Sequence, residues 1–141
     1  PRMGFEHVMP QFSIRVLKGE DPFVVYGAEN TRAFCFVSDA SEATKMVMRC
    51  EKVKNQIVNI GNDREEIKIS DLAEQILTLS GRDVTIEHEA APKGSVKRRC
   101  PDIQKLKNLV GYNPKVDLEN GLEELFLWYK IYFYKNGDPK E

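Results

Sequence analysis

Apolar and polar positions along the chain fall into short blocks whose period changes from one block to the next. Phe5, Val8, Met9, Phe12, Ile14 and Leu17 recur near helical spacing and stop at Gly19, which predicts a helix over Phe5–Lys18 with Pro10 in its first turn or at a kink. Phe23-Val24-Val25-Tyr26 reads as a strand halted by Gly27, with Val25 on the opposite face from Tyr26 and assigned to the core. Ala33 to Val37 reads as a second strand, after which Ser38-Asp39 can cap a helix running to about Cys50. Ile57-Val58-Asn59-Ile60 has the look of a buried strand closed by Gly61-Asn62. Ser70 is placed as the cap of the next helix, whose stripe is Leu72, Ala73, Ile76, Leu77 and Leu79 and whose stop is Gly81. Val84-Thr85-Ile86 follows as a strand, then a polar loop. Asp102 opens a helix ended by Gly111, and Asp117 opens a last helix to about Lys135. Short strands alternating with helices predict an α/β fold with parallel strand pairing.

Composition narrows the class. The 141 residues fit one domain, and with 41% hydrophobic residues they can build a real core. Twenty-one Lys and Arg against 22 Asp and Glu leave a net charge of -1, which gives no global drive toward nucleic acid. No apolar run reaches the ~20 residues of a bilayer-spanning helix, and no secretory leader is read at the start. Cys35, Cys50 and Cys100 are odd in number and widely spaced, as expected of reduced thiols in a cytoplasmic protein.

Charge is distributed unevenly. From Asp63 to Glu89 eight acids face three bases, whereas from Lys93 to Lys107 the bases Lys93, Lys97, Arg98, Arg99, Lys105 and Lys107 face only Asp102. A local basic cluster in a neutral chain suits a small anion better than a long polyanion; a solvated face without a ligand is the alternative.

The order of motifs carries a resemblance. Pro1-Arg2-Met3, Phe23-Val24-Val25-Tyr26-Gly27, Thr31-Arg32-Ala33-Phe34-Cys35-Phe36-Val37-Ser38-Asp39 and Val58-Asn59-Ile60-Gly61-Asn62 come in sequence. Arg98-Arg99-Cys100-Pro101-Asp102-Ile103, Leu109-Val110-Gly111-Tyr112-Asn113-Pro114 and Asn120-Gly121-Leu122 complete the set. Together they resemble the C-terminal, substrate-binding half of the extended short-chain dehydrogenase/reductases that act on nucleotide sugars. The resemblance implies an α/β substrate-binding portion spanning 1–141, with the dinucleotide-binding (Rossmann) half missing. The chain has no G-x-x-G-x-x-G, and none of Tyr26, Tyr112, Tyr129, Tyr132 or Tyr134 is followed four residues later by a lysine. The family's phosphate-binding turn and its Tyr-x-x-x-Lys proton-transfer pair are therefore expected to lie elsewhere, and no catalytic residue is assigned here.

What remains is a site for the substrate. A diphosphate favours guanidinium forks, which donate two hydrogen bonds at once. By resemblance Arg32 contacts the diphosphate and Arg99 reaches the phosphate or sugar from another segment; Arg98 is the less specific neighbour. Read from the residues alone, Arg32 is a surface arginine paired to Asp39 or Glu29, and it is the motif that turns the reading toward the diphosphate. Tyr26 matches the family's aromatic beside the base, and a strand-end aromatic is otherwise core. Asp102 and Asp39 read as helix caps, Cys35 and Cys100 as passive thiols, and Glu87 and Glu89 around His88 as a solvated face. His7 and His88 have no companions at metal-ligand spacing.

The resemblance implies a portion of an NAD-dependent enzyme, UDP-glucose 4-epimerase-like or UDP-glucuronate decarboxylase-like, inactive by itself and homodimeric at full length. Its partner is a nucleotide-sugar substrate, with no nucleic acid and no membrane. A free-standing, non-catalytic nucleotide-sugar or anion-binding module is the competing reading. The last helix is apolar on almost every side from Leu122 to Tyr134, which calls for burial against the missing half or a partner subunit.

Overall fold

The helices follow the apolar spacing closely. A computed structural model describes residues 5–137, so the Pro1-Arg2-Met3 segment lies outside the described residues. Within that range α1 spans Val8–Lys18, α2 Val37–Arg49, α3 Ile69–Ser80, α4 Gln104–Val110 and α5 Leu118–Asn136. The strands are β1 (Phe23–Tyr26), β2 (Thr31–Ala33), β3 (Glu66–Lys68), β4 (Ile86–Glu89) and β5 (Arg98–Arg99). Gly19, Gly81 and Gly111 adopt the left-handed conformation directly after α1, α3 and α4, the stops that the sequence marks. Pro10 sits in the first turn of α1, where its missing N–H costs no helical bond. Among the described residues no helix is long and apolar enough to cross a membrane.

The chain divides into two compact units. One comprises residues up to 30, 68–95 and from 122 onward; the other comprises 31–67 and 96–121. In the first, β1 and β4 pair in parallel with Phe23 opposite Ile86 and Tyr26 opposite Glu89. Phe23 and Val25 point inward and are fully buried, under α3. Phe12 of α1 meets the Phe23 ring edge-on at 5.3 Å, and the Arg15 guanidinium lies over that ring at 4.4 Å. Gly27 closes the strand at φ 65, and a Cβ there would stand 2.6 Å from the Asn30 side chain and 2.9 Å from Ala91, so the turn both needs and hides a glycine.

In the second unit β2 is the middle strand of the order β3-β2-β5 and runs parallel to β5. Ala43, Ile103, Leu106 and Tyr112 form its buried cluster, with Met46, Val47, Val58 and Val110 packed around them. Parallel pairing in both sheets bears out the α/β expectation.

Several boundaries differ from the sequence reading. The second strand occupies Thr31–Ala33 rather than Ala33–Val37, because its pairing partners reach only that far and Val37 already begins α2. Ser38-Asp39 does not cap α2: Phe36 holds that position, and buried Asp39 lies inside the first turn. Its carboxylate accepts the Lys115 and Val116 amides, both at 2.9 Å, and so pins the segment between α4 and α5. Ser70 likewise falls inside the first turn of α3, with Lys68 at the cap and the Ser70 hydroxyl donating to Asp71. The strand read at Val84-Thr85-Ile86 is displaced to Ile86–Glu89, with the Thr85 carbonyl still accepting from the Phe23 amide.

The largest difference is Ile57–Ile60, which is no strand. Ile57 is 89% exposed, and no described strand lies alongside to take its backbone groups. Side chains satisfy part of the segment instead. Lys105 Nζ donates to the Ile57 carbonyl at 2.9 Å, and Asn59 Nδ2 donates to the Asp102 carbonyl at 3.0 Å. Asp102 and Asp117 do work at helix starts, accepting the Gln104 and Asn120 amides at 2.8 Å.

Candidate functional site: an arginine pair on a three-stranded sheet

Register decides which basic residues meet. In the parallel β2–β5 pair Thr31 lies opposite Arg98, and Arg32 lies opposite Arg99. Cross-strand partners share a face and successive residues alternate, so Arg32 and Arg99 project together from one face while Thr31 and Arg98 project from the other.

The Thr31–Arg98 face is neutralised. Glu66, on β3, accepts the Thr31 hydroxyl at 2.5 Å on one carboxylate oxygen and Arg98 Nη2 at 2.7 Å on the other. Those two donors, Arg98 first, hold the Glu66 carboxyl below the usual carboxylate range, and the same bond raises Arg98. Cys100 sits beside this cluster with its thiol pushed up, chiefly by burial and then by the Glu66 charge, so it stays a protonated, unreactive thiol at neutral pH.

The Arg32–Arg99 face has no such partner. Neither arginine forms an ion pair among the described residues. Arg32 spends one donor, Nη1, on the neighbouring Thr31 carbonyl at 2.7 Å. The two carboxylates that could have claimed it are engaged elsewhere: Asp39 with backbone amides, Glu29 with Lys68 at 2.8 Å. Partial burial and then the Arg99 charge both draw the Arg32 pKa down. Arginine remains charged all the same, so two guanidiniums are left side by side with unused donors and no counter-charge. An anion with oxygens on two adjacent centres, such as a diphosphate, satisfies both forks and relieves their repulsion.

Much of the remaining basic cluster is occupied. Lys107 Nζ donates to both Asp63 oxygens, at 2.7 and 2.9 Å, and Lys105 holds the Ile57 carbonyl. The acidic and basic runs of the sequence thus partly neutralise each other inside one unit. Arg98 belongs to that neutralised set. Sequence reasoning missed Glu66 and Thr31, the residues that separate Arg98 from Arg99, because their partners lie far away in the chain and no local spacing marks them.

Tyr26 ends β1 in the first unit. Its side chain points away from Phe23 and Val25 and is 55% exposed, so it is not a core aromatic. Cys35 is half-buried beside the Tyr112 hydroxyl at 3.8 Å; burial raises both groups and keeps both protonated. Glu87, His88 and Glu89 are exposed along β4, and the described residues hold no cluster of three or more metal-ligand side chains.

A family model described as GDP-mannose 4,6 dehydratase matches residues 1–125. The chain belongs to that family. It thereby joins the NAD-dependent nucleotide-sugar epimerases and dehydratases of the extended short-chain dehydrogenase/reductase type. The UDP-N-acetyl-alpha-D-glucosaminuronate decarboxylase of Bacillus cytotoxicus is 36% identical over 129 residues, covering 87% of this chain and 40% of the relative. The structure of a UDP-glucose 4-epimerase from Thermotoga maritima with UDP-glucose superposes with a TM-score of 0.80 at 26% identity, over 90% of this chain and 40% of that one. A dTDP-glucose 4,6-dehydratase from Bacillus anthracis in complex with NAD gives 0.79 at 28% identity, over 95% and 42%. The chain therefore spans about 40% of the length of these family members.

Family members are solved with NAD, but the residues described here do not fit it. A dinucleotide pyrophosphate needs a glycine-rich turn between a strand and a helix N-terminus. Here β2 enters α2 through Phe34-Cys35-Phe36, β3 passes straight into α3, and β5 enters α4 through Cys100-Pro101-Asp102-Ile103. None of these connections contains a glycine.

Proposed function

We propose that this chain is the substrate-binding portion of an NAD-dependent nucleotide-sugar epimerase, dehydratase or decarboxylase, in which Arg32 and Arg99 hold the substrate diphosphate. The carrying observation is the Arg32–Arg99 register on one sheet face without a carboxylate to neutralise it. For the base we propose Tyr26, whose exposed ring end offers a flat apolar surface. Arg98, closed on Glu66, is left out of direct ligand contact. Proton transfer and hydride exchange are assigned to the remainder of the enzyme, so this chain alone shows no turnover. The three free, half-buried thiols support a reducing, cytoplasmic setting, and we take the full-length enzyme to be a homodimer.

Calorimetric titration of UDP and of UDP-sugars tests the site, on this chain and on the full-length enzyme. A charge-assisted bond to phosphate contributes about 1.5–3 kcal/mol, so Arg32→Ala or Arg99→Ala is expected to weaken binding about ten- to a hundredfold. Arg32→Lys restores only part of that, because an ammonium cannot make the bidentate contact. Unchanged affinity in both alanine variants would return the pair to ordinary solvated surface.

A further inference from the structure

The arginine pair and the aromatic belong to different parts of the chain. Arg32 and Arg99 lie in the unit made of 31–67 and 96–121, whereas Tyr26 lies in the other. Inside its own unit the pair is assembled by backbone alone, as register partners on strands that neighbour at about 4.8 Å. Arg32 gives only Nη1 to the Thr31 carbonyl, which leaves its Nε–Nη2 edge to donate. Glu66, the one acid among the strand residues of this sheet, is spent on Thr31 and Arg98 at the opposite face.

What such a pair selects follows from its chemistry. Guanidiniums offer N–H forks and no acceptor, so their best partners are oxyanions. Two forks side by side favour two linked phosphates over one, because a monophosphate fills one fork and leaves the second charge unmet. Neither fork needs the groups to which the diphosphate is esterified.

We propose that Arg32 and Arg99 form a self-sufficient site for a free diphosphate, which inorganic pyrophosphate occupies in competition with the nucleotide sugar. This rests on the diphosphate reading of the pair and extends it from an esterified diphosphate to an unesterified one. Free pyrophosphate keeps the P–O–P unit and bears more negative charge than the same unit esterified at both ends, which offsets part of the lost base contact. The competitor has a defined origin. A nucleotide sugar is made by nucleotidyl transfer: an oxygen of a sugar phosphate attacks the α-phosphorus of a nucleoside triphosphate. The bond from that phosphorus to the α–β bridging oxygen breaks, and pyrophosphate leaves with the oxygen and its electron pair. The reaction class that supplies the substrate therefore releases the competing ligand in equal amount, and accumulated pyrophosphate slows use of the substrate it accompanies.

Calorimetric titration of the 141-residue chain with sodium pyrophosphate, orthophosphate and UDP, in metal-free buffer, tests this. Pyrophosphate is expected to bind at least about tenfold more tightly than orthophosphate, and to raise the apparent Kd of UDP in proportion to its concentration. Arg32→Ala and Arg99→Ala each weaken pyrophosphate about ten- to a hundredfold. Tyr26→Ala weakens UDP but shifts pyrophosphate by less than about twofold, with circular dichroism confirming the fold of each variant. UDP that binds through the arginines yet is not displaced by pyrophosphate overturns this inference and leaves the diphosphate site standing. Pyrophosphate bound no better than orthophosphate, or indifferent to both arginine substitutions, overturns it equally. If UDP affinity is also indifferent to both substitutions, the site itself falls with it.

Discussion

On one face of the β3-β2-β5 sheet Thr31, Glu66 and Arg98 close on one another; on the other, Arg32 and Arg99 stand together without a carboxylate. The two faces draw on adjacent residues of the same strands, and one position along the chain separates them. Arg98 and Arg99 are chemically identical neighbours, yet strand alternation sends one to a local acid and leaves the other for a ligand. A basic dipeptide is therefore not one patch. Its two members belong to different electrostatic environments, and the unneutralised one carries the binding hypothesis.

Reversing the charge on the open face should have the largest effect. Arg99→Glu places a carboxylate opposite Arg32, which turns the unpaired fork into an ordinary cross-strand ion pair. UDP binding is expected to fall by more than about a hundredfold, since one donor fork is lost and the other is claimed. The fold should survive, because Arg99 is exposed. Calorimetry gives the affinity and circular dichroism checks the fold. A folded Arg99→Glu chain that binds UDP within a few fold of the parent removes the arginine pair from the site.

The difference between the faces also bears on what the sequence could reveal. Most helices and β1 were legible because a repeating signal marks them: apolar spacing, with a glycine stop after α1, α3, α4 and β1. The run Ile57–Ile60 misled, since β-branched residues mark strand propensity but cannot supply a neighbour to pair with. Ser38, Asp39 and Ser70 misled differently: each is a good capping residue two or three positions too late, and Asp39 serves a distant loop instead. The resemblance placed Arg32 and Arg99 among the candidates. Their meeting on one face, and the removal of Arg98 by Glu66, depend on pairing between segments far apart in the chain, which no local pattern encodes.

The closed face should respond to acid and the open face should not. Glu66 has its carboxyl held below the usual range, so its bonds to Arg98 and Thr31 stabilise the fold fully above the unfolded value near about pH 4.3. That contribution is lost as the pH falls through the lower, folded value. Thermal melts of the parent and of Glu66→Gln should therefore differ at neutral pH, with the parent the more stable, and converge on acidification. A gap that persists unchanged into strong acid would show that the two chains differ by something other than this carboxylate's ionisation.

The smallest expected effect is the most discriminating. Arg98→Ala removes a cation one residue from Arg99 but on the neutralised face, where its charge is already balanced by Glu66. Arg98 is largely exposed, so its loss costs the fold little, as is usual for an ion pair at the surface. Through space the removal leaves Glu66 uncompensated, which adds a weak, long-range repulsion to an incoming anion. UDP affinity is expected to fall less than about twofold to threefold at low salt, and the change should vanish near 1 M salt, where charges are screened beyond about 3 Å. Arg99→Ala, by contrast, keeps much of its deficit at high salt, because a bidentate hydrogen-bonded contact is lost rather than a distant charge. Calorimetric titrations of both variants at two ionic strengths separate the cases. A tenfold, salt-resistant loss in Arg98→Ala would mean that Arg98 leaves Glu66 to reach the ligand, and the two faces would then act as one site.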